Sequence, residues 1–205
     1  MDTARDAVEA LLRDPARATR PYRLPSGEGG VIRPLLATDG HRLGAYFAGL
    51  SSDTRRRFGP HPFDQATADR LCATLDVAET LRVVAVRPDL VGGEIVAYFI
   101  VMFSVTVHER ARYAERGIAL DAAADCTLAP SVADGYQSVG LGGQVLAYVL
   151  DLARQLTRRH VVLLGGTQAT NVRAIHFYEK HGFRTIGSFE EPAGTDNFDM
   201  VLTLS

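Results

Sequence analysis

At residues 134–155 the chain reads DGYQSVGLGGQVLAYVLDLARQ, a polar turn that runs through four glycines into an apolar segment of helical period. Glycine in a helix costs about 1 kcal/mol relative to alanine, so it stays sparse at a helix start unless the backbone itself has work there. The work that suits it is the approach of an anion. A helix start offers N–H groups without partners at the positive end of a dipole, and residues without side chains let the main chain close around the ligand. Two common phosphate loops do not fit. A dinucleotide fingerprint needs a glycine three residues after Gly142, where Val145 stands. A P-loop needs Gly-Lys-Ser/Thr, and the single lysine of the chain is Lys180.

The rest of the composition narrows the class. A length of 205 residues suffices for one domain with a sizeable core, and 46% apolar with 22% charged residues is the balance of a soluble globular protein. A formal net charge of −2 gives no basic stripe, so no nucleic-acid partner is expected. Two distant cysteines, Cys72 and Cys126, suggest neither a disulfide framework nor a zinc site. The six histidines at 41, 61, 108, 160, 176 and 181 show no metal-ligand spacing, so no metal is expected. MDTARDAVEALLRD mixes acids and arginines into its apolar period and reads as an amphipathic helix, not a signal peptide. No apolar run reaches the roughly 18 residues that span a bilayer. The expectation is a cytoplasmic, reduced protein without a membrane partner.

The periodicities predict a mixed α/β domain. PARATRPYRLPSGEGG reads as a Pro/Gly-rich connection and GVIRPL as a first strand. ATDGHRLGAYFAGLSSDTRRRF reads as one helix beginning near Thr38 or Asp39, and FDQATADRLCATLD as a second. LRVVAVRP and EIVAYFIVMF, with DLVGG between them, give a hairpin signal, the second run apolar enough for a buried strand. Residues 104–124 read as an excursion with a short helix, before a strand at DCTLAPSV. There follow a helix from Gly143 to Gln155, a strand HVVLLGG, a helix VRAIHFYEKH, and the closing pair FRTIGSF and FDMVLTL. Residues 1–30 are then a helix and connection, and residues 31–205 a single globular domain.

Gln137-Ser138-Val139-Gly140-Leu141-Gly142 fits the pattern Gln/Arg-x-x-Gly-x-Gly, and about 30 residues later NVRAIHFYEKHGF fits Asn-x-x-Ala-x-x-Phe-Tyr-x-x-x-Gly-Phe. With both motifs in this order, the sequence resembles the GNAT superfamily of acyl-CoA-dependent N-acyltransferases. The likeness covers residue 80 to the C-terminus well. YFAGLSSDTRRRFGPHPF is more weakly similar to the N-terminal helices of some members, including the domain of certain bacterial protein acetyltransferases. The resemblance implies a mixed central sheet with flanking helices, its fourth and fifth strands parallel and splayed to admit acetyl-CoA.

It also implies roles. The amides of Gln137 and of Ser138, Val139, Gly140, Leu141, Gly142 and Gly143 would hold the coenzyme pyrophosphate. Val132, five positions before Gln137, would lie where backbone groups pair with the pantetheine arm and one amide polarises the thioester carbonyl. Asn171 would contact the same arm. Tyr178 would sit near the sulfur as the acid for the departing thiolate. Many relatives carry a glutamate on the fourth strand as general base, but here that position falls near Cys126 or Thr127. Asp125 is the adjacent carboxylate, with a strand irregularity at Pro130 allowing an offset. Glu94, His108 and Glu109 are further candidates, and a water chain or a neutral substrate would need none of them. Cys126 reads as a small core hydrophobe more readily than as a nucleophile. TRRRF reads as a solvated helix face or as a contact to an acidic substrate or the coenzyme 3′-phosphate. The implied partners are acetyl-CoA and an amine acceptor, either a small molecule or a protein lysine or N-terminus, with a homodimer by analogy. A catalytically silent coenzyme A sensor and an interaction module stay open as alternatives.

Overall fold

The structure is a computed structural model that describes residues 3–14, 16–88, 93–191 and 194–204. The order of elements is α1 (Thr3–Arg13), β1 (Arg20–Arg23), β2 (Gly29–Pro34), α2 (Gly40–Gly49), α3 (Ser52–Arg57), α4 (Gln65–Ala73), β3 (Thr80–Arg87) and β4 (Glu94–Met102). It continues with α5 (Val107–Glu115), β5 (Cys126–Val132), α6 (Leu141–Gln155), β6 (His160–Leu163), β7 (Thr167–Gln168), α7 (Val172–Lys180), β8 (Arg184–Glu190) and β9 (Asp196–Thr203). Among the described residues the strands form one sheet in the order β1-β2-β3-β4-β5-β6-β9-β7, with β8 also on β9. Every pairing is antiparallel except β5 with β6, the two strands joined through α6. These are the fourth and fifth strands of the sequence reading, moved up one place by β1.

Strand alternation divides the apolar residues between two cores. Leu81, Val83, Val96, Phe99 and Val101 face α6, where Leu146, Val149 and Leu152 meet them. Val84, Ile95, Tyr98 and Ile100 face the other way, onto Leu43, Phe47, Ala68 and Leu71 of α2 and α4. With both faces covered, β4 must be apolar at almost every position, which is why EIVAYFIVM shows no alternation.

Three local readings change. The Pro/Gly-rich connection contains β1, paired with β2 from Arg20↔Ile32 to Arg23↔Gly29. Only Tyr22 of RPYR is buried, so the strand carries no alternating apolar signal. The long helix from Ala37 is broken into a 3-10 turn (Ala37–Asp39), α2 and α3, because the Ser51 hydroxyl accepts the Thr54 N–H at 3.2 Å and starts a new helix. Helix α6 begins at Leu141, which puts Gly142 and Gly143 inside its first turn. Most of DLVGG, residues 89–92, lies outside the described residues. The excursion holds α5, closed at its start by the reciprocal Thr106 and Glu109 cap and fixed to β9 by Arg112 and Arg116 on buried Asp199.

Asp39, fully buried, takes hydrogen bonds from Arg33 at 2.6 and 2.9 Å, from the Leu36 N–H at 2.9 Å and from Arg42 at 3.2 Å. Burial pushes its pKa up, but the Arg33 and Leu36 hydrogen bonds, the Arg33 charge and the Arg42 bond together outweigh it, and the net direction is down. A depressed folded pKa stabilises above the unfolded value of about 3.9 and is lost as pH falls through the folded one. Asp39→Asn is therefore expected to be less stable at neutral pH, yet to lose less of its urea midpoint than wild type does below about pH 4.

Candidate active site

Strands β5 and β6 run together for three residue pairs, from Cys126↔Val161 to Leu128↔Leu163. The Leu164 N–H to Leu128 carbonyl bond, 3.0 Å, is the last between them. Gly165 and Gly166, with φ of 65° and 72°, then turn the chain away. At Gly166 a Cβ would come within 2.8 Å of both the Phe198 carbonyl oxygen and the Phe189 ring, so the turn admits no other residue without a shift. Beyond Leu128, β5 stays paired only with β4, as far as Ala97↔Val132. Leu128 presents its carbonyl to β6, so the alternation aims the Pro130 carbonyl and the Val132 N–H at the same side, now a gap. The Val132 carbonyl already receives Gln137 Nε2 at 2.9 Å. The gap opens into a cleft of about 730 Å³.

The glycine turn forms one wall. Asp134 accepts the Ser51 N–H at 2.9 Å, the Ser51 hydroxyl at 2.8 Å and the Thr54 hydroxyl at 2.7 Å, which binds α3 to the turn. Gln137 Nε2 also reaches Thr54 Oγ1 at 3.3 Å. Ser138 and Gly140 both take left-handed φ, 63° and 91°. Gly140 is the N-cap of α6 and supplies no side-chain acceptor, so the first N–H groups of a 15-residue helix are left to whatever enters the cleft. Ser138, Gly140, Gly142 and Gly143 line the cleft. Val139 is exposed and Leu141 is buried in the core, and neither side chain lines it. Anything these two give to a ligand comes from their backbone.

Helix α7 forms the facing wall. Asn171 caps it, its side chain accepting the Ala174 N–H at 3.3 Å, and Gly182 at φ 88° lets the Phe183 N–H return to the Tyr178 carbonyl at 3.0 Å. The Tyr178 ring packs against Phe177 and Phe183, each at 5.3 Å between centroids. Tyr178 lines the cleft, and burial raises its pKa above the ordinary tyrosine value. Among the described residues nothing hydrogen-bonds to its hydroxyl. His181 Nδ1 pairs with the Phe177 carbonyl at 2.7 Å, and its Nε2 lies 2.9 Å from where a Cβ on Gly143 would stand. A Cβ on Gly142 would meet the Phe177 ring at 3.4 Å, an ordinary contact. Gly142→Ala is therefore expected to raise the stability of the unliganded protein by about 0.5 kcal/mol. Gly143→Ala should show no such gain, because it displaces His181; urea titration of both variants makes the comparison.

The sequence model of the Acetyltransferase (GNAT) family matches residues 53–183, which include β5, the glycine turn, α6, β6 and α7. The chain belongs to the GNAT acetyltransferase family. Solved members share its architecture. The GNAT domain of S. lividans PAT superposes with a TM-score of 0.71 at 20% identity, over 93% of this chain and 99% of that domain. The GNAT-family acetyltransferase of Streptococcus pneumoniae gives 0.59 at 22%, over 85% and 98%. Arabidopsis thaliana NAA60, in complex with a bisubstrate analogue, gives 0.59 at 16%, over 85% and 98%. At these identities the likeness is one of fold. No curated protein sequence matches the chain.

In this GNAT acetyltransferase the carboxylate expected beside the fourth strand lies away from the cleft. Asp125 does not join the cleft. It is fully buried just before β5, where its two oxygens accept the Asp121 N–H, Arg159, the His160 N–H and His160 Nδ1 at 2.6–3.1 Å. That set occupies both oxygens and ties the start of β5 to the start of β6, the end opposite the gap. Glu94 is paired with Arg87 at 2.6 Å, Glu109 is spent on the α5 cap, and His108 is exposed on α5. None of these lines the cleft. The Cys126 thiol is buried and its pKa is pushed up to about 12 by that burial, so it stays protonated. Of the basic run, Arg56 and Arg57 line the cleft and both pair with Asp53. One acid that the sequence reading passed over is there: Glu191, in the turn between β8 and β9. In sequence it is one of two adjacent glutamates before a proline, with nothing to tell it from its neighbour. Among the described residues no helix is long and apolar enough to cross a membrane.

Proposed function

We propose that the protein transfers the acetyl group of acetyl-CoA to a primary amine by direct attack within a ternary complex. The observation that carries this reading is convergence. The parting of β5 and β6, the start of α6 and the Tyr178 hydroxyl, the last two without partners among the described residues, all face one cleft.

The amides from Gln137 and Ser138 to Gly143 hold the pyrophosphate, where left-handed Ser138 and Gly140 turn the backbone toward an anion and no side chain competes. The edge of β5 beyond Leu128 receives the extended arm as an added strand, through the Pro130 carbonyl and the Val132 N–H. That N–H also polarises the thioester carbonyl as negative charge develops on its oxygen. Asn171, at the cap of α7, borders the arm from the other side. Tyr178 protonates the leaving sulfur. Holding donor and amine in one cleft removes much of the entropic barrier to their encounter. The acceptor is a small amine or a protein lysine or N-terminus.

Isothermal titration with acetyl-CoA is the direct test. Micromolar binding supports the reading and justifies an amine screen, and absence of binding ends it.

A further inference from the structure

We infer that Glu191 receives the acceptor as its ammonium ion and takes the proton that must leave before nitrogen can attack. The inference rests on the acetyl-transfer reading above and deepens it by naming the acceptor-side group.

Among the described cleft-lining residues, Glu191 is the only carboxylate. The other charged or titratable groups there besides tyrosine are Arg56, Arg57, Arg173, His176, Lys180 and His181, all of them basic. An incoming ammonium finds one opposite charge among all these groups, that of Glu191. Glu191 is half-buried, and its carboxylate makes no ion pair or hydrogen bond with the described residues. Its backbone is nonetheless fixed, since the Glu191 N–H donates to the Thr195 carbonyl at 2.9 Å and the Gly194 N–H returns to the Glu191 carbonyl at 2.8 Å. The side chain is thus positioned but unspent.

Its placement suits the chemistry. Glu191 Oε1 lies 3.9 Å from where a Cβ on Gly165 would stand, at the bend where β6 leaves β5 and the gap begins. Phe58 and Pro60 after α3 also line the cleft, and Gln168 Nε2 reaches from β7 to the Arg56 carbonyl at 3.2 Å. The carboxylate thus borders the cleft that the donor and the amine would share.

The proton account closes. One N–H bond of the ammonium breaks and the proton moves to the Glu191 carboxylate. The freed lone pair forms the C–N bond to the thioester carbon, the C–S bond breaks with its electrons on sulfur, and Tyr178 gives sulfur its proton. The second proton lost by nitrogen restores Tyr178, and Glu191 releases its own to water. The products are an amide, a thiol and one proton.

The test compares the full chain with Glu191→Gln and Glu191→Asp. Acetyl-CoA affinity is measured by titration, and kcat/KM is measured on spermidine, glucosamine and an alanine-initiated peptide. Glu191→Gln is expected to bind acetyl-CoA within about twofold of wild type and to lose about 100-fold in kcat/KM at neutral pH. The loss should shrink as pH rises toward the pKa of the amine itself, because the acceptor then arrives without the proton. Glu191→Asp should recover part of the rate. A Glu191→Gln rate equal to wild type, or a loss constant across pH, overturns the assignment and leaves acetyl transfer standing. A wild-type protein that binds no acetyl-CoA removes the transfer reading and this assignment with it.

Discussion

Tyr178→Phe is expected to lower kcat by about 10²- to 10³-fold while acetyl-CoA binds as before. The ring is held between Phe177 and Phe183, and phenylalanine keeps both contacts. The hydroxyl has no partner among the described residues, so its removal strands no buried donor or acceptor. A fall in melting temperature is not expected, and a fall in rate is then chemistry and not collapse. The direction of the pKa shift sharpens the expectation. Burial favours the neutral phenol, so Tyr178 stays protonated above the ordinary value of about 10. A general acid works only while protonated, and the alkaline limb of the wild-type kcat profile therefore lies above that value wherever Tyr178 governs it. Stopped-flow or steady-state rates across pH, with affinity measured separately, decide the matter. An unchanged kcat in the phenylalanine variant would leave Tyr178 as a wall of the cleft and no more.

Gly142→Trp should abolish acetyl-CoA binding, with a loss of at least about 100-fold in affinity, equal to roughly 2.7 kcal/mol. The Cβ position at Gly142 lies 3.4 Å from the Phe177 ring and 3.6 Å from Val132 Cγ2. It thus sits between the facing wall and the edge of β5. A methyl group is accommodated there, and an indole fills the space into which the first N–H groups of α6 point. Gly142→Ala serves as the control, because it changes the same backbone position without occupying the cleft. Titration of the three proteins reads out the difference, and circular dichroism verifies that the tryptophan variant remains folded. Wild-type affinity in Gly142→Trp would place the coenzyme elsewhere.

What the sequence revealed, and what it hid, divides by the range of the interactions. The cap at Asn171, the left-handed Gly182 and the glycine start of α6 are consequences of local backbone chemistry, and local sequence displays them. The β3–β4 hairpin was legible because apolar β-branched residues on a two-sided sheet leave a continuous run. Strand β1 was not, since its place depends on pairing with Gly29–Pro34 and only one of its four side chains is buried. The break at Ser51 was hidden because the same serine could sit in a helix, until Asp134, more than eighty residues away, accepts from its hydroxyl and N–H. Proximity to the fourth-strand motif made Asp125 a reasonable base, but only the three-dimensional arrangement brings Arg159 and His160 onto it and consumes it. Glu191 is the converse case. Nothing beside it in sequence marks it, and it gains meaning only because β6 bends toward its turn.

The hydrogen bonds of Asp134 and Gln137 have a thermodynamic corollary. Ser51 and Thr54 of the α3 region hold Asp134, and Gln137 holds both Thr54 and the end of β5. In the proposed reading, the wall that meets the acceptor and the turn that meets the donor therefore share one set of bonds. Whatever free energy one ligand contributes to tightening that set, the other no longer has to supply. Linkage makes the effect reciprocal: the factor by which donor changes acceptor affinity is the factor by which acceptor changes donor affinity. On that reading, the two halves of the reaction are coupled before any bond between them forms.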